Sequence, residues 1–463
     1  MREPRTTKTV GFVEKLGFCT FSGANNIVYQ FKNLYYLFFL TNVVKLDILW
    51  AGTIFTIGIL WDAINDPLIG YIAVNRKFKN GESVRPFALW HSIPWAATVV
   101  LLFTDFNAPD TIAIILSIVI YLAFEIFNTF VGIPYNSMAG LASDRDADRK
   151  SINIYRNLGG CIGSAVGAVA CMPLLKVFGA LDETGNLIPD SASRGFLMVA
   201  IVMGVIVVSG SLTHFFTTKE RVKQVSEETE HIGFFKLIGM LLRCKSWIYN
   251  TIYIVCYLVI NMLLMTCLTY YATYVLGSTA AAMPIQAAYL ASYLLTSFIV
   301  GAVDKKLGRR KTMMLGALIA IAGKLWFLIA PAAPGSIYLN AITVGAAVTF
   351  AFVLFNTNRN NIVDIIEADT GRRIDGMIAS ADNLASKLAV AGATQLVTIF
   401  LSNAGYNADL AVQPAAAIGV INFMLGWAPA ILSVVMIVSA YFLPIEKDYE
   451  RAQAKLRNGV KAM

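Results

Sequence analysis

Twelve apolar stretches, each long enough to cross a bilayer as a helix, run through this 463-residue chain. They fall at roughly 17–44, 48–73, 87–104, 111–142, 151–175, 195–217, 247–275, 283–303, 313–331, 337–357, 376–402 and 416–443. A helix needs about 20 apolar residues to span the hydrocarbon. No water is present there to satisfy backbone N–H and C=O groups, so only helices and closed barrels can cross. These stretches are too long and too continuous for the alternating pattern of barrel strands. Hydrophobic residues make up 57% of the chain and charged residues 14%, where soluble domains average about 25% charged. The expected fold is an all-α membrane protein with twelve transmembrane helices.

The net charge of +8 raises the question of a nucleic-acid partner, and its distribution answers it. All but seven of the Lys and Arg residues lie in the N-terminal tail, the C-terminal tail and the loops after spans 2, 4, 6, 8 and 10. Lys45, Lys176 and Arg194 stand in the opposite loops, while Lys32, Arg156, Lys324 and Lys387 lie within spans. The positive-inside rule then puts both termini in the cytoplasm, which requires an even number of spans. The expected surroundings are the lipid bilayer of a cell membrane, inner or plasma, crossed many times, with no nucleic-acid partner. The N-terminus MREPRTTKTVGFVEKLG has no apolar core and no small-residue cleavage site, so no removable signal is expected. The six cysteines sit in or beside spans without a CxxC pair and read as small apolar core residues.

The longest polar interruption, 218–246, divides the spans six and six. The expected organisation is an N-terminal half (1–217), a cytoplasmic middle loop (218–246), a C-terminal half (247–443) and a cytoplasmic tail (444–463). Within the loop, Ile232–Leu242 alternates apolar and basic residues at helical spacing, as a segment lying on the membrane surface would. The basic turn from Gly301 to Lys311 after span 8 mirrors the one from Gly70 to Arg85 after span 2, half the chain away. Two six-helix halves with a parallel repeat is the organisation of major-facilitator transporters, whose substrate site lies near the midplane. The second turn, G-A-V-D-K-K-L-G-R-R-K, resembles the signature loop of that superfamily. In the first, Val74-Asn75 stands where an acid would be expected.

Chemistry concentrates in Trp61-Asp62-Ala63-Ile64-Asn65-Asp66-Pro67, inside span 2. Asp62, Asn65 and Asp66 occupy i, i+3 and i+4 and so share one helix face. Each carboxylate costs about 2.5–3.5 kcal/mol at the bilayer centre. Packing gains nothing from the pair, which suits a hard cation (Na⁺, Li⁺) or a proton better than a transition metal. A structural ion pair with one Lys or Arg is the alternative, and it leaves one carboxylate uncompensated. The interior amides Asn25, Asn26, Gln30, Asn128, Asn136, Asn261 and Asn383 suit an uncharged polyhydroxylated ligand, with interhelical hydrogen bonds as the competing role. Lys32 in span 1 either pairs with Glu125 in span 4 or joins Arg156 in meeting a substrate carboxylate such as a uronide. Glu125, Thr129 and Gly132 share a face. Asp382 in span 11 has Lys387 as a possible partner at i+5, a poor helical spacing. Lys324 is assigned no function.

Together W-D-A-I-N-D-P, Arg85-Pro86, Gly132-Ile133-Pro134-Tyr135-Asn136-Ser137-Met138, the loop Asp364-x-x-Glu367-x-x-Thr370-Gly371-x-Arg373-x-x-Gly376, and Ser386-Lys387-Leu388 resemble the glycoside–pentoside–hexuronide:cation symporters. The matches run in chain order from about Lys15 to Leu388. The resemblance implies a cation held by Asp62, Asn65, Asp66 and Thr129, a coupling lysine at Lys387 near that site, and a sugar contact from Arg156. It also exposes a departure. Asn26 and Gly132 stand where the best-known member has sugar-binding aspartates, and Asn136 where it has a stacking tryptophan, so galactoside specificity is not implied. The expected function is symport of a sugar, glycoside or uronide into the cell by alternating access, in a bacterial membrane. The carrier would act as a monomer, with the coupling cation and no other cofactor. A carrier or exporter of another small solute is the alternative. An enzyme is disfavoured, because the sequence holds no HExxH, nucleophile elbow, phosphate loop or Cys/His cluster.

Overall fold

Each apolar stretch falls on helix in the computed structural model, which describes residues 9–75, 78, 82, 84–143, 145–221, 239–371, 375–410 and 412–461. Most of the basic turn before Arg85, the greater part of the Ile232–Leu242 segment, and Arg373 lie outside the described residues. The helices are α1 (Phe12–Asn42), α2 (Ile48–Asn75), α3 (Arg85–Leu102), α4 (Asp110–Ala142), α5 (Asp146–Val169), α6 (Cys171–Val177), α7 (Pro189–Thr217) and α8 (Lys245–Tyr274). They continue as α9 (Ala282–Ser297), α10 (Val300–Leu307), α11 (Arg309–Ile329), α12 (Pro334–Thr370), α13 (Asp375–Asn403), α14 (Ala415–Leu425), α15 (Trp427–Phe442) and α16 (Ile445–Lys461). Among the described residues the sole extended pairing is a bridge between Leu181 and Leu187.

Seven single helices and the run from α14 to α16 taken as one, eight in all among the described residues, are long and apolar enough to cross a membrane, or ten when α5 with α6, bent by 46°, and α9 with α10, bent by 50°, each count as one span. They occupy ten of the twelve expected positions. α1 and α3 hold the other two, and their polarity explains why they fall short. α1 carries Glu14, Lys15, Lys32, Asn25, Asn26 and Gln30, and α3 is 18 residues long with Arg85 at its start and Pro94 inside. Large apolar side chains form exposed stripes, such as Ile112, Ile115 and Val119 on α4 and Ile154, Leu158 and Ile162 on α5. Lipid is the solvent that suits such stripes.

The chain packs as two compact units, each taken over its described residues. The first is Met1–Glu227 with Leu268–Met283 and Thr398–Pro414, and the second is Glu228–Cys267 with Pro284–Val397 and Ala415–Met463. In the first unit α1 packs on α5 and α7, and α2 and α3 pack on α4. The α1–α5 seam is built on small residues. Gly159, Gly163 and Gly167 recur every four residues on α5 and lie against Cys19, Gly23 and Ile27, which have the same spacing on α1. A Cβ added at Gly163 would lie 2.1 Å from the Gly23 carbonyl oxygen, a backbone atom that cannot move aside. Close backbone approach of this kind is how helices associate in lipid, where burial of apolar surface offers no driving force between them.

Helix ends in the first unit are tied reciprocally. Glu220, just past α7, accepts the backbone N–H groups of Val84 (2.8 Å) and Arg85 (2.6 Å) at the start of α3. Arg85 returns the contact, donating Nη1–H to the carbonyls of Phe215 and Thr218 at the end of α7, both at 3.0 Å. An anion thus meets orphan amides and a cation meets orphan carbonyls, the favourable sign at each helix end. Beside them Arg221 donates both Nη groups to Glu14 (2.8 and 2.9 Å) and Nη1 also to the Ala142 carbonyl (3.0 Å).

The second unit repeats the device. Glu446, just past α15, accepts the N–H of Arg309 at the start of α11 (3.0 Å). The Arg309 fork donates to Asp304 (3.0 and 2.9 Å) and to Asn358 (3.0 Å). The intervening Gly308 has φ +79, a conformation that L side chains rarely adopt. The amphipathic α16 continues along this end, where Asp448 accepts from Ser246 (2.7 Å) and Arg451 meets Asp369 (3.1 Å).

The glycine seam makes a direct prediction. Gly163→Val should lose about 1–3 kcal/mol of stability by overpacking, whereas Gly140→Ala, where an added Cβ meets nothing within 4 Å, should not. Thermal melting of the two detergent-solubilised variants tests this, and equal melting temperatures would refute the seam's importance.

Candidate functional site

The acidic triplet is placed by the α2–α4 contact. One turn before Asp62, Gly58 leaves room for the Tyr121 ring, since a Cβ there would lie 2.4 Å from Cε1. Thr129 on α4 then sets its Oγ1 3.2 Å from Asp66 Oδ1 and 3.5 Å from Asp62 Oδ1. Asn65 is buried between them, donating Nδ2–H to the Glu125 carbonyl at 3.3 Å. Asp62 and Asp66 are half-buried. The structure therefore brings Asp62, Asp66 and Thr129 together, with Asn65 held one turn along α4 at the Glu125 carbonyl. No group of three or more His, Cys, Asp or Glu among the described residues forms a metal-binding cluster. The donors at hand are carboxylate, hydroxyl and amide oxygens, a hard set that fits an alkali cation rather than a transition metal.

Of the two roles open to Lys32, the structure holds the ion pair. Its Nζ lies 2.6 Å from Glu125 Oε1, both residues are buried, and the ammonium sits over the rings of Tyr121 (4.9 Å) and Phe124 (5.2 Å). Glu125 already satisfies this charge, so Lys32 is not presented to a substrate carboxylate.

The expected substrate residues divide into two groups. Arg156 on α5 donates to Asn136 Oδ1 on α4 at 2.5 Å, and its guanidinium stacks 4.6 Å above the Tyr135 ring. Asn26 donates to the Ser22 carbonyl (2.9 Å) and accepts from Ser164 (3.3 Å), which joins α1 to α5. Asn25, Gln30 and Asn128 are half-buried and make no hydrogen bond among the described residues. In the second unit Asn383 is exposed and Lys387 half-buried, both on α13. Asn261 accepts from the Tyr289 hydroxyl at 2.7 Å.

Two buried charges of the second unit find their hydrogen-bond partners on other helices. Asp382 does not pair with Lys387. Its Oδ1 accepts from Trp247 Nε1–H at 2.9 Å and from Thr251 at 3.5 Å, while Oδ2 is buried with no hydrogen-bond partner among the described residues. The i+5 spacing turns Lys387 away from Asp382, and α8 supplies the donors instead. Lys324 makes no ion pair among the described residues. It is buried and donates to Asn340 Oδ1 at 2.5 Å, and Asn340 in turn donates to the Leu425 carbonyl (2.9 Å) at the break between α14 and α15.

Sequence reasoning missed Ser164 and the stacking role of Tyr135. Helical spacing held a signal for the first, because Arg156, Gly160 and Ser164 recur every four residues on α5. An added Cβ at Gly160 would come 3.3 Å from Asn26. Tyr135 was legible as the neighbour of Asn136, but its ring contact depends on how α4 meets α5.

With this geometry in view, the chain can be compared with known proteins. Residues 19–447 match the family described as MFS/sugar transport protein, and the chain belongs to that family, which is one of transporters and not of enzymes. It is 27% identical over 457 residues to an isoprimeverose transporter of Lactiplantibacillus pentosus, covering 96% of this chain and 91% of that protein. It is 26% identical over 428 residues to the putative glycoside/cation symporter YagG of Escherichia coli K12, covering 90% and 89%. A D-xylose-proton symporter of known structure shares the fold, with a TM-score of 0.65 at 14% identity over 94% of this chain and 97% of that one.

Trp247→Phe keeps the ring and removes the N–H that Asp382 accepts. Leaving that buried acceptor short of a donor should cost about 1–3 kcal/mol. It should appear as a lower melting temperature of the purified protein, and an unchanged one would show that the contact contributes nothing.

Proposed function

We propose that this member of the MFS/sugar transport family imports a sugar or glycoside together with a cation, with Na⁺ preferred and Li⁺ or H⁺ as alternatives. Transport would proceed by alternating access through twelve spans, in halves 1–217 and 247–443, with both termini cytoplasmic. The observation that carries this reading is the Thr129 hydroxyl set between Asp62 and Asp66, 3.5 and 3.2 Å away, in a span that is otherwise apolar. Two carboxylates converging on one hydroxyl repel each other unless a positive charge joins them. A cation that arrives from one side and leaves on the other supplies that charge transiently, and α2 and α4 are ordered while it is bound. Its binding then favours sugar binding, and by linkage the sugar favours the cation.

The favoured substrate is a neutral glycoside. Lys32 is committed to Glu125, which leaves Arg156 as the cation among the expected substrate contacts. The amides Asn25, Gln30, Asn128, Asn136 and Asn383, with Asn26 in a supporting place, offer donors and acceptors to hydroxyl groups. The names of the relatives, an isoprimeverose transporter and a glycoside/cation symporter, support the same class. Lys387 is proposed as the coupling lysine, and the monomer as the working unit.

Uptake into membrane vesicles of a panel of glycosides, pentosides and uronides, with and without a Na⁺ gradient, tests the whole reading. Gradient-driven uptake of a neutral glycoside is expected, and no uptake of any sugar would refute it. Asp66→Cys should abolish cation-stimulated uptake while the protein remains in the membrane. Full Na⁺-driven accumulation by that variant would remove Asp66 from the site. Thr129→Val, which deletes one hydroxyl at constant volume, should raise the half-saturating cation concentration about tenfold, the effect of losing one hydrogen bond to a charged group.

A further inference from the structure

The Lys32–Glu125 pair stands beside the candidate cation site without belonging to it. Glu125 and Thr129 lie one turn apart on the same face of α4. The Glu125 carbonyl is the group that holds Asn65 in place (3.3 Å). The Glu125 carboxylate is bound to Lys32 from α1 (2.6 Å). Tyr121, which fills the space left by Gly58 on α2, also lies beneath the Lys32 ammonium at 4.9 Å. One connected cluster thus joins α1, α2 and α4. It brings the carboxylates of Asp62, Asp66 and Glu125 and the ammonium of Lys32 into one neighbourhood.

We infer that Lys32 and Glu125 are an electrostatic positioning pair for the cation site. Lys32 acts as a tethered cation that cancels the Glu125 carboxylate, so that this third acid adds no net charge beside the site. The inference rests on the proposed cation site and deepens it. Without Lys32, the Glu125 carboxylate would add a full negative charge one turn from Thr129. Without Glu125, the ammonium would stand uncompensated near the position a cation must enter. The two deletions therefore push cation affinity in opposite directions, although both break the same contact. A purely structural tie between α1 and α4 predicts that both weaken binding alike.

The test is Na⁺ binding to the purified protein by titration calorimetry without sugar, alongside the Na⁺ dependence of uptake in vesicles. Glu125→Gln should raise the half-saturating Na⁺ concentration about tenfold and Lys32→Gln should lower it about tenfold. That is the scale of one unit charge roughly 10 Å away at an effective dielectric of about 20. The double variant, neutral at both places, should return to within about threefold of the native value, while the sugar KM at saturating Na⁺ stays unchanged in all three. Single variants leave a buried charge unmatched and can fail to fold. In that case the decisive comparison is the neutral double variant against the reversed pair, Lys32→Glu with Glu125→Lys. The reversed pair brings the positive end onto α4 beside Thr129 and should weaken Na⁺ where the neutral pair does not. Shifts of the same sign in both single variants, or a reversed pair equal to the neutral one, would overturn the inference. A native protein that binds none of Na⁺, Li⁺ or H⁺ would overturn the cation site itself. Loss of Na⁺ response in Asp66→Cys without opposed shifts at Lys32 and Glu125 would overturn this inference alone.

Discussion

A charge removed from water must be matched where it sits, and in this chain that requirement organises the interior of the spans. Burial of an ion in a low-dielectric medium costs several kcal/mol even after relaxation, and only a well-placed partner recovers it. The Lys32–Glu125 contact is such a match, with two fully charged groups 2.6 Å apart and aromatic faces closing over the ammonium. It ties α1 to α4 at the residue whose backbone carbonyl accepts from Asn65, and it lies against Tyr121, the ring that fills the gap Gly58 leaves on α2. In the second unit the hydrogen-bond partners of two buried charges are neutral side chains. Trp247 and Thr251 serve Asp382, and Asn340 serves Lys324.

The same rule governs the ends of the helices, where the charges are those of the backbone. Glu220 and Glu446 each follow the last long helix of their region and reach back to the N-terminus of a helix that opens with arginine, Arg85 or Arg309. Each arginine is then held by its own acid and by oxygens nearby. The repeat visible in the two basic turns therefore extends to glutamates far along the chain that no comparison of the turns alone would find. It also explains why the first turn tolerates Val74-Asn75 where an acid would be expected. Arg85 takes its carboxylate from Glu82, three residues away, whereas Arg309 takes its own from Asp304, five away.

What could be read from the sequence follows how local each cause is. Span positions were legible because membrane insertion depends on composition within a single window, and α1 and α3 escape that test because their polar residues sit inside the window. Asp62, Asn65 and Asp66 were legible because i, i+3 and i+4 fix a shared face without any tertiary information. The glycine seam of α5 could have been read from its spacing, but its partner could not, since Gly163 against Gly23 depends on which helices pack. The fate of Asp382 was beyond reach for a related reason. Its sequence neighbour Lys387 is the only partner a local reading can offer, while Trp247 lies 135 positions away on another helix.

The substrate side follows from the same logic of commitments. A side chain already satisfied by protein partners must exchange those bonds for ligand bonds, and so gains little from a poor ligand. Arg156 is preorganised in this sense, stacked on Tyr135 and donating to Asn136. A hydroxyl group could accept from it and donate to Asn136 in a single bridge, whereas a carboxylate would compete with Asn136 for the guanidinium. Asn26 is more fully committed, bonded to Ser22 within α1 and to Ser164 across the α1–α5 seam, and under the proposed function would shape the wall more than read the ligand. Selectivity among hydroxylated ligands would then fall to Asn25, Gln30 and Asn128, whose amides have no partner among the described residues. An amide gains a full hydrogen bond only from a ligand that presents a hydroxyl at the right place, so under the proposed function these three positions would discriminate best between one sugar and another.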